Sequence, residues 1–183
     1  MAIKTFTDNT TLPASDINTY LTNSGLVYVT SATVGTGVSS VTVSSAFNST
    51  YDAYKIVATG VAINTGAGNS TSLQLTGLTT GYYAAIVYCL WSSTTVVGST
   101  DNNQAAWNFA GSHSTDGLVL NCDIVNPFLA IPTTLNNGSY ASHLGGSVNG
   151  KQTSSTSTSG FTVTTPGSTM TGGKITVYGY RKA

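Results

Sequence analysis

The sequence predicts an all-β protein: an antiparallel β-sandwich or jelly-roll-like domain preceded by a short N-terminal strand and a helical arm. Three observations predict it. From Leu26 onward, Val, Leu, Ile and Tyr alternate with Ser and Thr at the period of two that marks strands. Turn residues interrupt that alternation about every 8–12 positions, the spacing of an antiparallel sandwich with about nine or ten strands. Only residues 1–25 repeat apolar side chains at helical spacing. A chain of 183 residues accommodates one such domain, residues 26–183, and an attachment arm, residues 1–25.

Within the arm, Ile3-Lys4-Thr5-Phe6-Thr7 alternates as a short added strand. Pro13 then opens a helix, since its missing N–H would be unpaired in the first turn anyway. Ser15 and Asp16 complement the helix dipole there, and Asn23-Ser24-Gly25 ends the helix. Ala14, Ile17 and Leu21 line one stripe with Tyr20 beside it. About ten residues of helix are marginal alone in water, so the stripe needs a surface to lie on. The arm's apolar residues Ile3, Phe6, Leu12, Ile17, Tyr20 and Leu21 are therefore the candidate attachment or oligomer contacts.

In the body, residues 26–34 form a strand that Gly35-Thr36-Gly37 turns back into residues 38–44. Residues 47–52 make a turn-rich corner, residues 54–63 a longer strand, and residues 64–70 a loop built on glycine and Asx turns. Residues 72–77 give a short strand with Leu73 and Leu75 inward. The nearly continuous apolar run 82–91 reads as a central strand covered on both faces. Residues 92–103 read as a loop, followed by strands at 105–110 (Trp107 and Phe109 inward) and 117–125 (Leu118, Leu120, Cys122 and Ile124 inward). Residues 126–132, bounded by Pro127 and Pro132, read as an edge or crossing strand. Residues 140–148 alternate, with Gly145-Gly146 marking a bulge or close backbone approach. Residues 151–159 form a solvated Ser/Thr loop, and residues 161–164 and 174–180 close the domain.

Composition narrows the function. Charged residues are 7% of the chain, and the net charge is zero, against roughly 25% charged residues in ordinary soluble domains. No basic patch is available to neutralise phosphates, which argues against nucleic acid as a partner. No run approaches the roughly 18 apolar residues of a membrane span, and no signal-peptide pattern opens the sequence, so neither membrane insertion nor secretion is expected. Cys89 and Cys122 sit in apolar runs as buried thiols, with no disulfide or zinc spacing. A neutral Ser/Thr/Asn surface gives little colloidal repulsion to a free monomer and suits a chain inside an assembly.

The chemistry is sparse. All six acids are Asp, so paired-glutamate hydrolysis has no residues to use. His113-Ser114-Thr115-Asp116 with Asp123 is the nearest approach to a constellation, and turn formation accounts for the same residues. There is no nucleophile elbow and no phosphate loop. No catalytic residue, metal or cofactor is expected, and a surface hydrolase ranks last. Four Asn-x-Ser/Thr triplets, at Asn9, Asn48, Asn69 and Asn137, follow from the composition. Tyr82, Tyr83 and Trp91 are candidate ligand-stacking residues, because aromatic faces near loops stack on sugar rings. Trp107 fits the core better, and Trp91 is balanced between the two roles.

The ends of the chain carry a resemblance. Leu12-Pro13-Ala14-Ser15-Asp16-Ile17-Asn18-Thr19-Tyr20-Leu21, with Phe6-Thr7-Asp8 ahead of it, resembles a leader found on structural proteins of tailed bacteriophages. Gly173-Lys174-Ile175-Thr176-Val177-Tyr178-Gly179-Tyr180-Arg181 is similar to the ending of many such proteins, as is the corner Phe47-Asn48-Ser49-Thr50-Tyr51-Asp52-Ala53-Tyr54-Lys55-Ile56. The three patches span the chain in order. The resemblance implies a virion component assembled in the host cytoplasm, a homotrimer contacting other virion proteins, with no catalytic residues to carry over. Capsid decoration, minor capsid, minor tail and fibre roles all remain open under it, as does a receptor- or carbohydrate-binding module at a tail tip that contacts host surface glycans.

Overall fold

The computed structural model describes residues 25–64, 69–137 and 144–182, together with Thr11 and Pro13. The expected arm strand and helix lie outside them, as do Ile3, Phe6, Leu12, Ile17, Tyr20 and Leu21. The described chain is all-β, antiparallel and sandwich-like, as the sequence predicts.

One sheet has eight strands, in spatial order β1 (Leu26–Thr33), β15 (Lys174–Tyr180), β3 (Ala53–Thr59), β10 (Asn121–Val125), β11 (Thr133–Asn137), β12 (Leu144–Gln152), β6 (Tyr82–Leu90) and β7 (Val96–Gln104). The other has five: β2 (Ser40–Val43), β13 (Phe161–Thr164), β5 (Asn69–Leu75), β8 (Trp107–Ser114) and β9 (Gly117–Val119). A two-stranded ribbon of β4 (Ala62–Ile63) and β14 (Met170–Thr171) completes the set. The core lies between the sheets, where Tyr54, Ile56, Ile124 and Leu135 of the larger face Leu73, Trp107, Phe161 and Val163 of the smaller, all fully buried. Each such side chain contributes about 1.5–3 kcal/mol by leaving water. Tyr82 and Trp107 meet edge to face across the gap, ring centres 5.1 Å apart.

Several segments depart from expectation for identifiable reasons. Gly35–Gly37 does not close a hairpin. The Val34 and Val38 amides donate to Gly173 and Met170, and the Gly37 amide to the Thr171 hydroxyl, so the chain crosses from the large sheet to the small one. The predicted strand 54–63 breaks at Gly60, whose φ is +66°. Strand 117–125 divides at Leu120: its first part joins the small sheet and its second the large one, with Leu118, Leu120, Cys122 and Ile124 all buried as expected. Phe109 is half-buried. Asn69 and Ser70 belong to β5 instead of the preceding loop.

The run 82–91 is not covered on both faces. β6 lies next to the sheet edge, and Tyr83, Ala85 and Val87 are exposed on its outer side. Residues 92–103, expected as a loop, contain most of edge strand β7. Residues 126–132 are turns, with Asn126 at φ +65°, and the strand follows them at β11. The Ser/Thr segment after β12 is pinned: Thr158 donates its amide to Pro127 O at 2.9 Å and its hydroxyl to the same oxygen at 3.0 Å. Gly146 marks a close approach, since a Cβ there would come within 2.4 Å of the Val87 carbonyl oxygen.

Candidate functional surface

The outer face of the eight-stranded sheet carries the features that a partner could recognise. Strand register places one residue from every strand in a single row across it: Tyr28, Tyr178, Lys55, Asp123, Asn136, Asn149, Ala85 and Thr100. At the β1 side, Tyr180 donates its hydroxyl to Asp123 Oδ1 at 2.6 Å, and Lys55 Nζ lies 3.4 Å from Asp123 Oδ2. That hydrogen bond, with some burial, pushes the Tyr180 pKa up to about 12. Tyr28 and Tyr178 pack edge to face at 6.4 Å. Three strands are thereby tied by a tyrosine–carboxylate–ammonium cluster.

At the β7 side the same face turns apolar. Tyr83, Ala85 and Val87 of β6 point outward, and Val96 pairs with Cys89 beside them. Trp91 follows in the turn after β6 and is 74% exposed, with Val96 at 67%. A Cβ on Gly145 would sit 3.7 Å from the Trp91 indole nitrogen, so the ring lies alongside β12. Tyr83, Asn149 and Lys151 rim a shallow hollow of about 310 Å³, floored by Ala84 and Gly150.

The three candidate stacking residues are not brought together. Tyr82 is fully buried. Its hydroxyl accepts from the Leu75 amide at 2.8 Å and donates to Leu78 O at 3.2 Å, and burial raises its pKa to about 12. It is a core residue, because neighbours on a strand point to opposite faces. Tyr83, 39% exposed, and Trp91 do share the outer side. Eight residues of strand separate them by roughly 26 Å, so one sugar ring cannot touch both. The expected trio reduces to two separate aromatic positions.

The His113 constellation is internal. His113 is fully buried and shares a 3.0 Å hydrogen bond with Thr71 through Nδ1. Burial lowers its pKa, against a smaller opposing pull from the Pro166 carbonyl. Asp116 instead completes a turn with Ser114, accepting from the Ser114 hydroxyl at 3.5 Å while its own amide donates to that oxygen at 3.1 Å. Among the described residues no three His, Cys or Asp side chains gather where a metal ion could be held. Cys122 is fully buried, and its thiol is pushed up to about 12 by that burial. Cys89 is half-buried and donates to Ser93 O at 2.7 Å.

Val87, Val96 and the Tyr180–Asp123–Lys55 cluster escaped the sequence reading. The available signal was the inner alternation Tyr82/Ala84/Ile86 against Tyr83/Ala85/Val87, masked because both sets are apolar. No known protein family, curated protein or solved structure matches this chain.

Proposed function

We propose that this chain is a non-enzymatic structural protein of a tailed-phage virion, held by residues 1–25 and displaying the β-sandwich of residues 26–183, as a capsid decoration or minor capsid protein or a tail or fibre component. Its partners in this reading are copies of itself, in the trimer that the resemblance implies, and the virion proteins that receive the arm.

One observation supports the reading: two of the three segments that resemble phage structural proteins, the corner and the closing motif, lie side by side, next to the strand that follows the leader in sequence. The strand that follows the leader, β1, pairs with β15 from the closing motif, and β15 pairs with β3 from the corner motif. Gly179 lies against the Tyr51 ring, where a Cβ would come within 2.4 Å of ring carbon. Tyr54 donates its hydroxyl to Asn48 O and accepts from the Asn48 amide, both at 2.8 Å. Lys182 closes the clasp on Asp52 at 2.7 Å. Two motifs far apart in sequence thus build one seat for the strand into which the arm leads.

Deleting residues 1–25 tests the reading. The truncated protein is expected to fold and to be absent from purified particles; particles that incorporate it normally would refute the arm. Counting copies against the major capsid protein then separates shell from tail, hundreds against a few tens at most. A second reading, a glycan- or receptor-binding module, draws on exposed Trp91 and on the Tyr83–Asn149–Lys151 hollow. It expects saturable binding to host cells that Trp91→Ala or Tyr83→Ala weakens, and it fails if purified protein does not bind.

A further inference from the structure

The two sheets end differently. The small sheet stops at β2 and β9, four and three residues long. The large sheet stops at β1 and β7, eight and nine residues long. Short edges are one of the devices by which folds avoid pairing with other chains, along with Lys, Pro and bulges. β1 is blunted by a bulge between Tyr28 and Thr30. β7 has no such guard over Val96–Asp101, which pairs with β6 without interruption, its register shift coming only beyond Asp101. The strand contains no Lys, Arg or Pro, and its one acid is turned inward, where Asp101 accepts from the Asn108 amide at 2.8 Å and side-chain amide at 2.9 Å. Among the described residues nothing pairs with its outer side.

Gly98 sits at the middle of this open stretch without an internal reason to be glycine. Its φ is not in the left-handed region, and a Cβ would meet only the Ile86 carbonyl oxygen at an ordinary 3.6 Å. By contrast, a Cβ at Gly111 or Gly146 would come within 2.4 Å of backbone oxygen. Glycine inside a strand is found at bulges, at bends, or where a ligand or another backbone comes close, and β7 runs through Gly98 with no register shift.

We propose that β7 is a self-pairing edge: two copies of this chain join antiparallel through Val96–Thr100 across a two-fold axis at Gly98. The segment is self-complementary in that register. Gly98 meets Gly98 of the partner subunit, Val97 meets the partner's Ser99, and Val96 meets the partner's Thr100, a β-branched pair on the outer face. An uncharged edge offers no complement to a charged partner, whereas its own copy supplies both the ladder and matching side chains. The contact lies at the opposite edge of the large sheet from β1, so it rests on no part of the virion reading.

Single-cysteine cross-linking in the full-length Cys89→Ser protein tests this, Cys122 being buried. At the axis the facing Cα atoms would lie about 4.5–5.5 Å apart, within the range a disulfide spans. Oxidised Gly98→Cys is expected to run as a covalent dimer, with several-fold less cross-linking for Val96→Cys, Thr100→Cys and the β1 control Ser31→Cys. In parallel, Gly98→Lys, for which the fold has room, is expected to halve the sedimenting mass of the full-length protein by setting two like charges face to face. Absence of the Gly98→Cys cross-link overturns the two-fold register, and an unchanged mass for Gly98→Lys overturns the contact itself.

Discussion

The five-stranded sheet turns outward a set of short polar side chains that satisfy one another: Thr42 and Thr162 share a 2.9 Å hydrogen bond, and Ser72 bonds Asn108 at 3.2 Å. The eight-stranded sheet turns outward tyrosines, valines and a tryptophan, several of them well exposed. Both sheets contribute to one core, and the difference lies in their outer faces. One outer face is small and polar, and the other mixes polar groups with exposed apolar and aromatic ones. A Ser/Thr/Asn-rich composition, averaged over the chain, hides this division.

The largest expected effect tests whether the two sides are one cooperative unit. Trp107→Ala removes the indole that meets Tyr82 across the sandwich, and it is expected to cost about 3–5 kcal/mol, lowering a single thermal transition by on the order of 10 °C. Two separate transitions in calorimetry would mean that the sheets fold independently. Next come the glycines. Gly146→Ala forces a Cβ onto the Val87 carbonyl oxygen and is expected to cost about 1–3 kcal/mol in denaturant unfolding. Gly98→Ala, whose Cβ would meet the Ile86 carbonyl oxygen only at ordinary contact distance, is expected to be neutral or to gain up to about 1 kcal/mol. Equal losses at both positions would remove the distinction between an internally required glycine and a free one.

Each sheet is also expected to contribute to the loss of stability of the whole domain at a different end of the pH scale. His113, on the small sheet, has its folded pKa lowered by burial. Its contribution is therefore present above the unfolded value of about 6.5 and is lost as pH falls below it. His113→Gln should flatten the acid side of a plot of denaturation midpoint against pH. Tyr180, on the large sheet, is raised to about 12, so its contribution holds below the unfolded value of about 10 and fades as pH climbs toward 12. Tyr180→Phe should lessen the alkaline loss without abolishing it, because burial raises Tyr82, Tyr54 and Cys122 too. The smallest effects on stability come from the two outer faces. Thr162→Ala and Val87→Ser should each stay within about 0.5 kcal/mol, yet only Val87→Ser should raise solubility. A solubility gain from both would erase the contrast between the faces.

Much of the fold was legible. Strand type follows from period-two alternation, and Leu73, Leu75, Leu118, Leu120, Cys122 and Ile124 are buried where alternation places them. Strand partners were less so. Gly35-Thr36-Gly37 reads locally as a hairpin, and only its bonds to residues 170–173 make it a crossing. Residues 92–103 read as a loop because edge strand β7 buries only Asp101 and so shows no apolar alternation. Of the three candidate stacking residues, Trp91 and Tyr83 are exposed, and Tyr82 is in the core. In an unbroken apolar run nothing local says which of two adjacent tyrosines faces in. The arm contacts at Ile3, Phe6, Leu12, Ile17, Tyr20 and Leu21 rest on sequence pattern alone.

The place of β15 between β1 and β3 has a consequence for biosynthesis. Of the described strands, β15 is the latest to leave the ribosome, yet β1, among the first, pairs with nothing else in the large sheet. The strand adjoining the arm therefore waits through translation of nearly the whole domain before it acquires its neighbour. Such long-range closure slows folding, and a polypeptide cut short before Lys174–Tyr180 lacks the strand that β1 pairs with. Under the proposed attachment, only chains read through to this strand would present an anchored arm, so prematurely terminated products would be filtered out before assembly begins.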